Sequence, residues 1–412
     1  MRADRARRGR PRRILTALLV LASAAFVAIG GYVGYVSVRH ARPVTLPAPT
    51  GPYPVGRVLE DWTDDARVDP LAPHPGTPRE LSVWLWYPAA HAADRPAAYT
   101  PGPWRGLHLP GLPGLAETSF DAVRDHAFDG VPVAAGRFPI AVLAPGLGFA
   151  APQYTALAED LASHGYLVAG LTPTYSANLT ILHGRRVPAS PAGNPASFDA
   201  ADLHTGAAQQ DGDRLVRVWA ADARFTAARV AALDRAGPFA GHVDPDRLGY
   251  LGHSFGGAAA VQACHDDPRC GAAANLDGTQ YGPVVRTGLD RPSLTIASGD
   301  SCVTGTCRAT SAADRSDQTT ARALLAAGAG PAWCYRITGA RHFNFTDYAT
   351  YYLAAPLRSQ LALGSIDGGR GLALVGSYLT AFLDHTLHGR DEPQLTDPGA
   401  DHPEIQVQHV AR

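Results

Sequence analysis

The chain contains no lysine, so all 36 of its basic residues are arginines. Because glycine and proline are also abundant, with 43 and 34 residues, we interpret the missing lysine as a compositional bias without functional meaning. The chain also lacks internal repeats. Its 412 residues, 46% hydrophobic and 18% charged, provide enough apolar material for one large core or two small ones.

The five cysteines include no CxxC motif, and the histidines do not cluster with them. Structural zinc sites use such spacings, so the sequence argues against a metal centre. Cys264 and Cys270 flank five residues, and Cys302 and Cys307 flank four. We expect each pair to form a disulfide in an exported protein, and Cys334 to be a buried thiol in a strand.

Acidic residues outnumber basic ones beyond the N-terminus. Residues 1–13 carry seven arginines and one aspartate, whereas the net charge of the whole chain is −1. The rest of the chain is therefore acidic, which argues against nucleic acid as a partner.

An uncharged apolar run, residues 14–38, follows this basic tail. About 20 such residues cross a bilayer, and the arginines hold their own side in the cytoplasm. We expect a single-pass signal-anchor over 14–38, with the bulk of the chain outside the cell membrane. The alternative is a signal peptide cleaved near Ala22–Ala24, which would give a secreted protein. Residues 39–55 are proline-rich and predict an extended linker.

Strand-like and helix-like segments alternate over residues 56–390, which we expect to form the catalytic domain. Continuous apolar strands separated by helices predict an α/β fold, with a mostly parallel sheet covered by helices on both faces. Residues 174–212 interrupt this alternation and predict either a cap insertion over a pocket or a mobile surface loop. Residues 391–412 predict a polar tail.

One stretch, "LGYLGHSFGGAAAV" at residues 248–261, joins a predicted strand to a predicted helix. A strand that turns sharply into a helix strains its turn residue, and Gly252 and Gly256 remove the side chains that would collide there. Ser254 is then presented at the tip of a G-x-S-x-G nucleophile elbow. The side chain of His253 is expected to point away from the serine.

A serine hydroxyl needs a histidine to take its proton and a carboxylate to orient that histidine. In this fold the chain order is serine, acid, histidine. His342, in "GARHFNF", follows a late strand and is the best candidate for the base. Asp277 and Asp300 end the first and second strands after the elbow helix, and their order leaves both open as the acid.

Two backbone N–H groups are needed to bind the oxyanion of the reaction. Phe255 follows the serine and supplies one candidate donor. Leu147, in the loop "APGLGF" after an early strand, supplies the other. Phe149 and Tyr154 are candidates for the acyl pocket, with an equally acceptable interpretation as core residues.

Four segments occur in the order found in the platelet-activating factor acetylhydrolase family, the calcium-independent, lipase-like branch of the α/β-hydrolases. "GLGFAAPQYTALAEDLASHGYLVAG" resembles its oxyanion loop, helix and strand, and "DPDRLGYLGHSFGGAAAV" resembles its elbow. "NLDG" is similar to the segment that holds the acid, and "GARHFNF" to the histidine loop. The resemblance implies an α/β-hydrolase fold, favours Asp277 over Asp300, and implies hydrolysis of short-acyl, lipid-like esters without a metal or cofactor.

Other functions share much of this layout. Cutinase-like polyester hydrolases and dienelactone-hydrolase-like esterases remain alternatives for the substrate. A non-catalytic, membrane-tethered binding domain on a hydrolase fold is an alternative of another class, because fold does not imply activity. The presence of all three triad residue types and of the turn glycines argues against it.

Overall fold

Ten strands form one sheet in the computed structural model, which describes residues 4–107, 117–198, 206–351 and 363–411. Two short strands, β1 (Val44–Thr45) and β4 (Val123–Arg124), pair with each other outside this sheet, and so do β8 (Leu179–Leu182) and β9 (Arg185–Pro188). The strands of the large sheet are β2 (Val55–Val68), β3 (Pro78–Pro88), β5 (Ala127–Asp129), β6 (Phe138–Ala144), β7 (Leu167–Thr172), β10 (Val243–His253), β11 (Cys270–Leu276), β12 (Ser293–Ala297), β13 (Ala332–Ile337) and β14 (Ile405–Ala411).

The order of strands across the sheet is β14-β13-β12-β11-β10-β6-β7-β3-β2-β5. The six central strands, from β13 to β7, are parallel to one another, and antiparallel strands border them on both sides. All seven residues of β6 and all six of β7 are buried, as expected for strands covered on both faces. The α/β-hydrolase prediction is confirmed.

Helices cover both faces of the sheet. The α-helices of the described chain are α1 (Asp4–His40), α2 (Thr155–Ser163), α3 (Gly206–Ala232), α4 (Phe255–Asp266), α5 (Val284–Thr287), α6 (Ala312–Ala327), α7 (Tyr348–Tyr351) and α8 (Gly368–His388). Helices α2 and α8 pack into the core on one face, whereas α3 and α4 pack into the core on the other.

Helix α1 contains the predicted anchor, and residues 1–3 of the predicted basic tail lie outside the described residues. Within it, Ile14–His40 is long and apolar enough to cross a membrane, and the most apolar part is not buried against the domain. The linker predicted over residues 39–55 makes contacts with the domain. Its strand β1 pairs with β4, and Gly51 donates its N–H to Ser163 Oγ at 2.9 Å.

Where it is described, the segment 174–212 makes hydrogen bonds to the rest of the domain. It contains the β8–β9 hairpin and a helical turn at Ala196–Phe198, while residues 199–205 lie outside the described part. Ser190 Oγ donates to the carbonyl of Leu71 at 2.7 Å, and Trp219 Nε1 donates to Ser176 Oγ at 3.1 Å.

The predicted polar tail is partly wrong. Strand β14 pairs antiparallel with β13 at the edge of the sheet. An edge strand is paired on one side only, so polar side chains are tolerated along it and its sequence pattern is weak.

Both predicted disulfides form. Cys264–Cys270 joins the end of α4 to the start of β11, and Cys302–Cys307 closes a loop after β12. Cys334 carries a free thiol and is buried in β13, as predicted.

Candidate active site

The turn between β10 and α4 holds Ser254 in a strained conformation, with φ +55° and ψ −125°. Strain of this kind persists where the surroundings over-determine the backbone. A Cβ atom on Gly252 would lie 2.2 Å from the backbone of Gly256, and one on Gly256 would lie 2.3 Å from the carbonyl oxygen of Pro145. Both glycines are therefore required by close approach, and Ser254 stands at the tip of a tight elbow.

Sheet topology brings the other candidate residues to the same edge. Strand β10 lies between β6 and β11, with Gly252 opposite Ala144 on one side and Asn275 on the other. The loops after these three parallel strands therefore carry Leu147, Ser254 and Asp277 side by side. Carboxyl ends of parallel strands are the usual position of ligand sites in α/β sheets.

Ser254, His342 and Asp277 form a continuous hydrogen-bonded series. Ser254 Oγ lies 2.9 Å from Nε2 of His342, and Oδ2 of Asp277 lies 2.8 Å from Nδ1 of the same ring. The Asp277 side chain is 2% exposed, and its Oδ1 accepts the N–H of Ser298 at 2.8 Å. The buried carboxylate is thus fixed against the imidazole, as orientation of a general base requires.

Asp300, the alternative acid, lies elsewhere. Its side chain is 58% exposed and forms an ion pair with Arg341 at 3.0 Å. Ser298 Oγ also donates to it at 3.2 Å. The geometry therefore favours Asp277 over Asp300 as the partner of His342.

The loop that carries His342 is braced by the side chain of Asn344. Its Oδ1 accepts the N–H of Arg341 at 2.9 Å and that of Gly364 at 2.7 Å. His342 itself begins the helical turn His342–Phe345 after β13. Its side chain is 38% exposed, so the ring reaches both Ser254 and solvent.

The candidate oxyanion donors are the backbone N–H groups of Leu147 and Phe255. Neither has a hydrogen-bond partner among the residues that the structure describes. Phe255 is the first residue of α4, where N–H groups point outward and the helix dipole favours negative charge. Gly148, next to Leu147, is fixed by two bonds to the segment 174–212, namely its N–H to the Ser176 carbonyl at 3.2 Å and its carbonyl to the Asn178 N–H at 3.0 Å.

A cleft of about 410 Å³ opens above Ser254, and we call it the Ser254 cleft. Three of its lining side chains are those of Phe198, Phe255 and Tyr281. The ring centroid of Phe198 lies 5.7 Å from that of Phe255 and 6.2 Å from that of Tyr281. Phe198 comes from the segment 174–212, which thus contributes a wall of the cleft. The lining residues are Leu147, Asn194, Phe198, Ser254, Phe255, Asp277, Thr279, Tyr281 and His342.

Neither Phe149 nor Tyr154 lines the Ser254 cleft as the structure describes it, and both pack in or against the core, which is the other interpretation that the sequence allows. Tyr154 is fully buried, and Phe149 packs against Phe343 with ring centroids 5.3 Å apart. Tyr154 lies beneath the site, where its hydroxyl forms hydrogen bonds with the N–H of Gly146 and with the ring of His253. Sequence reasoning missed this role, for which the histidine beside Ser254 was the available signal.

His253 is buried directly behind the triad. Its ring centroid lies 4.7 Å from that of His342, and it stacks on Phe345. Burial and the neighbouring His342 lower the pKa of His253 well below its usual value, so its ring is neutral. In the described residues, no group of three or more His, Cys, Asp or Glu side chains is placed to hold a metal ion.

The sheet, the elbow and the cleft are the architecture of an α/β-hydrolase. Among solved structures, a ferulic acid esterase from Streptomyces cinnamoneus is 30% identical in sequence and superposes with a TM-score of 0.72. The match covers 89% of this chain and 99% of that one. The protein is therefore a carboxylic ester hydrolase.

Two curated relatives are similar to this chain over most of its length. A probable 1-alkyl-2-acetylglycerophosphocholine esterase from Arthroderma benhamiae is 25% identical over 403 residues, which cover 87% of this chain and 92% of the relative. The platelet-activating factor acetylhydrolase of Cavia porcellus is 23% identical over 83% of this chain and 78% of its own length. No family model matches the sequence. These relatives bear out the resemblance to the platelet-activating factor acetylhydrolase family that the four segments predicted.

Proposed function

We propose that the protein hydrolyses short-acyl, lipid-like carboxylic esters through an acyl-enzyme formed on Ser254. The observation that carries the proposal is the hydrogen-bonded series from Ser254 Oγ through the His342 ring to Asp277. A serine hydroxyl is a weak nucleophile until a base removes its proton, and this series supplies the base together with the group that orients it.

The reaction takes place in two halves. His342 Nε2 accepts the proton of Ser254 as Oγ attacks the ester carbonyl, and the N–H groups of Leu147 and Phe255 bind the oxyanion. His342 then gives the proton to the leaving alcohol. Water attacks the acyl-enzyme by the same route and releases the acid, while Asp277 stabilises the charged imidazole in both halves.

The substrate class rests on the relatives and on the Ser254 cleft. The Arthroderma relative is named as a 1-alkyl-2-acetylglycerophosphocholine esterase, and the Cavia relative as an acetylhydrolase of platelet-activating factor. The cleft has room for a small acyl group and is open to solvent, so the alcohol part of a larger ester extends outward. A short acyl chain on a lipid-like alcohol fits this arrangement.

Esters of planar aromatic acids are a second candidate. Phe198, Phe255 and Tyr281 surround one side of the Ser254 cleft, with centroids of Phe255 and Tyr281 5.6 Å apart. Rings attract other rings edge-to-face or in offset stacks. The Streptomyces neighbour is named for ferulic acid, which is an aromatic acid.

The serine is tested with a fluorophosphonate probe on the native chain, on Ser254→Ala and on a control, Ser377→Ala. Ser377 lies in α8, and its hydroxyl donates to Gln394. We expect labelling of the native chain and of Ser377→Ala, and none of Ser254→Ala. A folded native chain without labelling would instead support a binding domain.

The two substrate classes are separated by turnover of p-nitrophenyl esters from acetate to palmitate, of a short-chain phospholipid and of methyl ferulate. Phe198→Ala and Phe198→Leu are compared with the native chain. If aromatic acids are the substrate, Phe198→Ala lowers kcat/KM for methyl ferulate about tenfold and leaves p-nitrophenyl acetate within about twofold. Phe198→Leu, which keeps apolar bulk without the ring, then behaves like Phe198→Ala.

For the location of the protein, we propose a single-pass membrane anchor with the catalytic domain outside the cytoplasm. Ile14–His40 supports the anchor, and two disulfides suit an oxidising compartment. The full chain is expected to stay in the membrane after carbonate washing, and a variant lacking residues 1–38 to be released. A mature N-terminus just beyond Ala24 would instead indicate a secreted protein.

A further inference from the structure

Four loops carry the proposed machinery, and two buried side chains connect three of them. Tyr154 and His253 are both fully buried, and neither lines the Ser254 cleft in the described structure. Gly146 donates its N–H to the Tyr154 hydroxyl at 2.8 Å, and that hydroxyl lies 2.9 Å from Nδ1 of His253. Nε2 of His253 lies 2.9 Å from the backbone carbonyl of His342. We call this series the Tyr154–His253 bridge.

The donor and acceptor of each hydrogen bond in the bridge follow from the two backbone groups at its ends, the carbonyl of His342 and the N–H of Gly146. The carbonyl of His342 accepts only, so Nε2 of His253 carries the hydrogen. Because the buried ring is neutral, Nδ1 has no hydrogen and accepts from the Tyr154 hydroxyl. The phenol oxygen is then free to accept the N–H of Gly146. Every polar group in the bridge is satisfied in a single arrangement, as buried networks require.

The bridge connects the loops that carry the oxyanion donor Leu147, the nucleophile and the base, whereas the loop of Asp277 lies outside it. Gly146 directly precedes Leu147, the proposed oxyanion donor, and His253 directly precedes Ser254. His253 also bonds the backbone carbonyl of His342, whose side chain is the proposed base. The contact is also close, because a Cβ atom on Gly146 would lie 3.2 Å from His253 Nδ1 and 3.4 Å from Ser254 Cβ.

We propose that Tyr154 and His253 are positioning residues, whose hydrogen-bonded bridge fixes the oxyanion donor and the base relative to Ser254. The proposal rests on the proposed function, since it assigns these residues a task in the same reaction. Misplacing a reacting group by about 1 Å costs roughly a hundredfold in rate, so loss of the bridge lowers kcat. Substrate binding in the Ser254 cleft is unaffected, and KM changes little.

Two substitutions break the same link of the bridge from opposite sides. Tyr154→Phe removes the hydroxyl and keeps the ring. His253→Gln keeps an N–H donor near the position of Nε2 and removes the acceptor at Nδ1. The control is Tyr250→Phe, because Tyr250 is fully buried in the same strand as His253 and donates to Asp267 at 2.6 Å, away from the Ser254 cleft.

The measurements are kcat and KM on p-nitrophenyl acetate for the native chain, both single variants, the double variant, Tyr250→Phe and Ser254→Ala. We expect kcat to fall roughly tenfold to a hundredfold in each single variant, with KM within about twofold. The kcat of the double variant is expected to be no lower than that of the less active single variant, because the effects of residues that share one interaction are not additive. Tyr250→Phe is expected to keep kcat within about twofold.

The proposal is overturned if kcat in both single variants falls less than roughly tenfold, or if the losses multiply in the double variant. If one single variant does not fold, the other alone decides by the size of its kcat loss against Tyr250→Phe. A native chain without turnover that depends on Ser254 contradicts the proposed function itself, which separates that failure from failure of the bridge.

Discussion

The carboxylate of Asp277 lies 2.8 Å from Nδ1 of His342, whereas the carboxylate of Asp300, in the loop after the next strand, pairs with Arg341. The two acids have similar sequence contexts, since each follows a parallel strand of the sheet. They differ in burial, because the Asp277 side chain is 2% exposed and that of Asp300 is 58% exposed. A buried, hydrogen-bonded carboxylate is the one able to hold an imidazole in a single tautomer.

Replacing the acid therefore provides a direct prediction. Asp277→Asn presents an amide to His342 and favours the wrong tautomer, so we expect kcat on p-nitrophenyl acetate to fall about 10⁴-fold, as in other serine hydrolases. The matched control is Asp300→Asn, which removes an exposed ion pair and leaves kcat within about twofold. A collapse of kcat in the control variant with little change in Asp277→Asn would show that the acid has been assigned wrongly.

The elbow makes a prediction about stability as well as activity. Ser254 has a φ of +55°, where residues with a Cβ are strained and glycine is not. Ser254→Gly and Ser254→Ala both lack the hydroxyl, so neither is expected to turn over substrate. We expect the free energy of unfolding to be about 1 kcal/mol higher for Ser254→Gly, after the greater chain entropy of glycine is included. Urea denaturation measures the difference, and equal stabilities would mean that the turn is not strained in solution.

Local motifs account for the parts of the site that the sequence predicts well. The elbow needs two glycines within two residues of Ser254, and such a pattern is readable without knowledge of the fold. The choice between Asp277 and Asp300 is different, because it depends on which way each loop leaves the sheet. That direction is a tertiary property, so order along the chain leaves both open.

The difference between local motifs and tertiary contacts also explains where the fold departs from the predictions made on sequence. Residues 391–412 predict a polar tail, yet the backbone of residues 405–411 completes the sheet beside β13. Residues 39–55 contain many prolines and predict an extended linker, whose hydrogen bonds to α2 a local pattern does not reveal. The sequence leaves Tyr154 open between the cleft and the core, and only the positions of Gly146 and His253 give its hydroxyl partners. Each of these contacts is a property of the tertiary structure.

The cysteine pairing predicts a count of reactive thiols. Cys334 is buried, and burial raises the pKa of its thiol to about 12, so little reactive thiolate forms. We expect no reaction of the native chain with a thiol-specific reagent, one thiol per chain in denaturant without reductant, and five after reduction. The control is Cys334→Ala, which is expected to show none in denaturant. Three or more thiols before reduction would contradict the pairing of Cys264 with Cys270 or of Cys302 with Cys307.

The neutral ring of His253 predicts how stability depends on pH. Its folded pKa lies well below 6.5, because burial and the facing His342 disfavour the charged form, while the Tyr154 hydroxyl brings no charge. Below pH 6.5 the unfolded chain binds a proton at this position that the folded chain does not. Stability from this group is therefore present above pH 6.5 and is lost as the pH falls, by up to about 1.4 kcal/mol per pH unit.

The comparison that isolates this group is between the native chain and His253→Gln, whose side chain does not titrate. The two chains are otherwise identical, so the difference between them reports on this position. We expect the free energy of unfolding of the native chain, measured by urea denaturation from pH 7.5 to 5, to decline more steeply than that of the variant once the pH is below 6.5. Parallel curves would mean that the ring accepts a proton in the folded state. That result would remove the requirement that the Tyr154 hydroxyl donates to Nδ1, because a protonated Nδ1 is itself a donor.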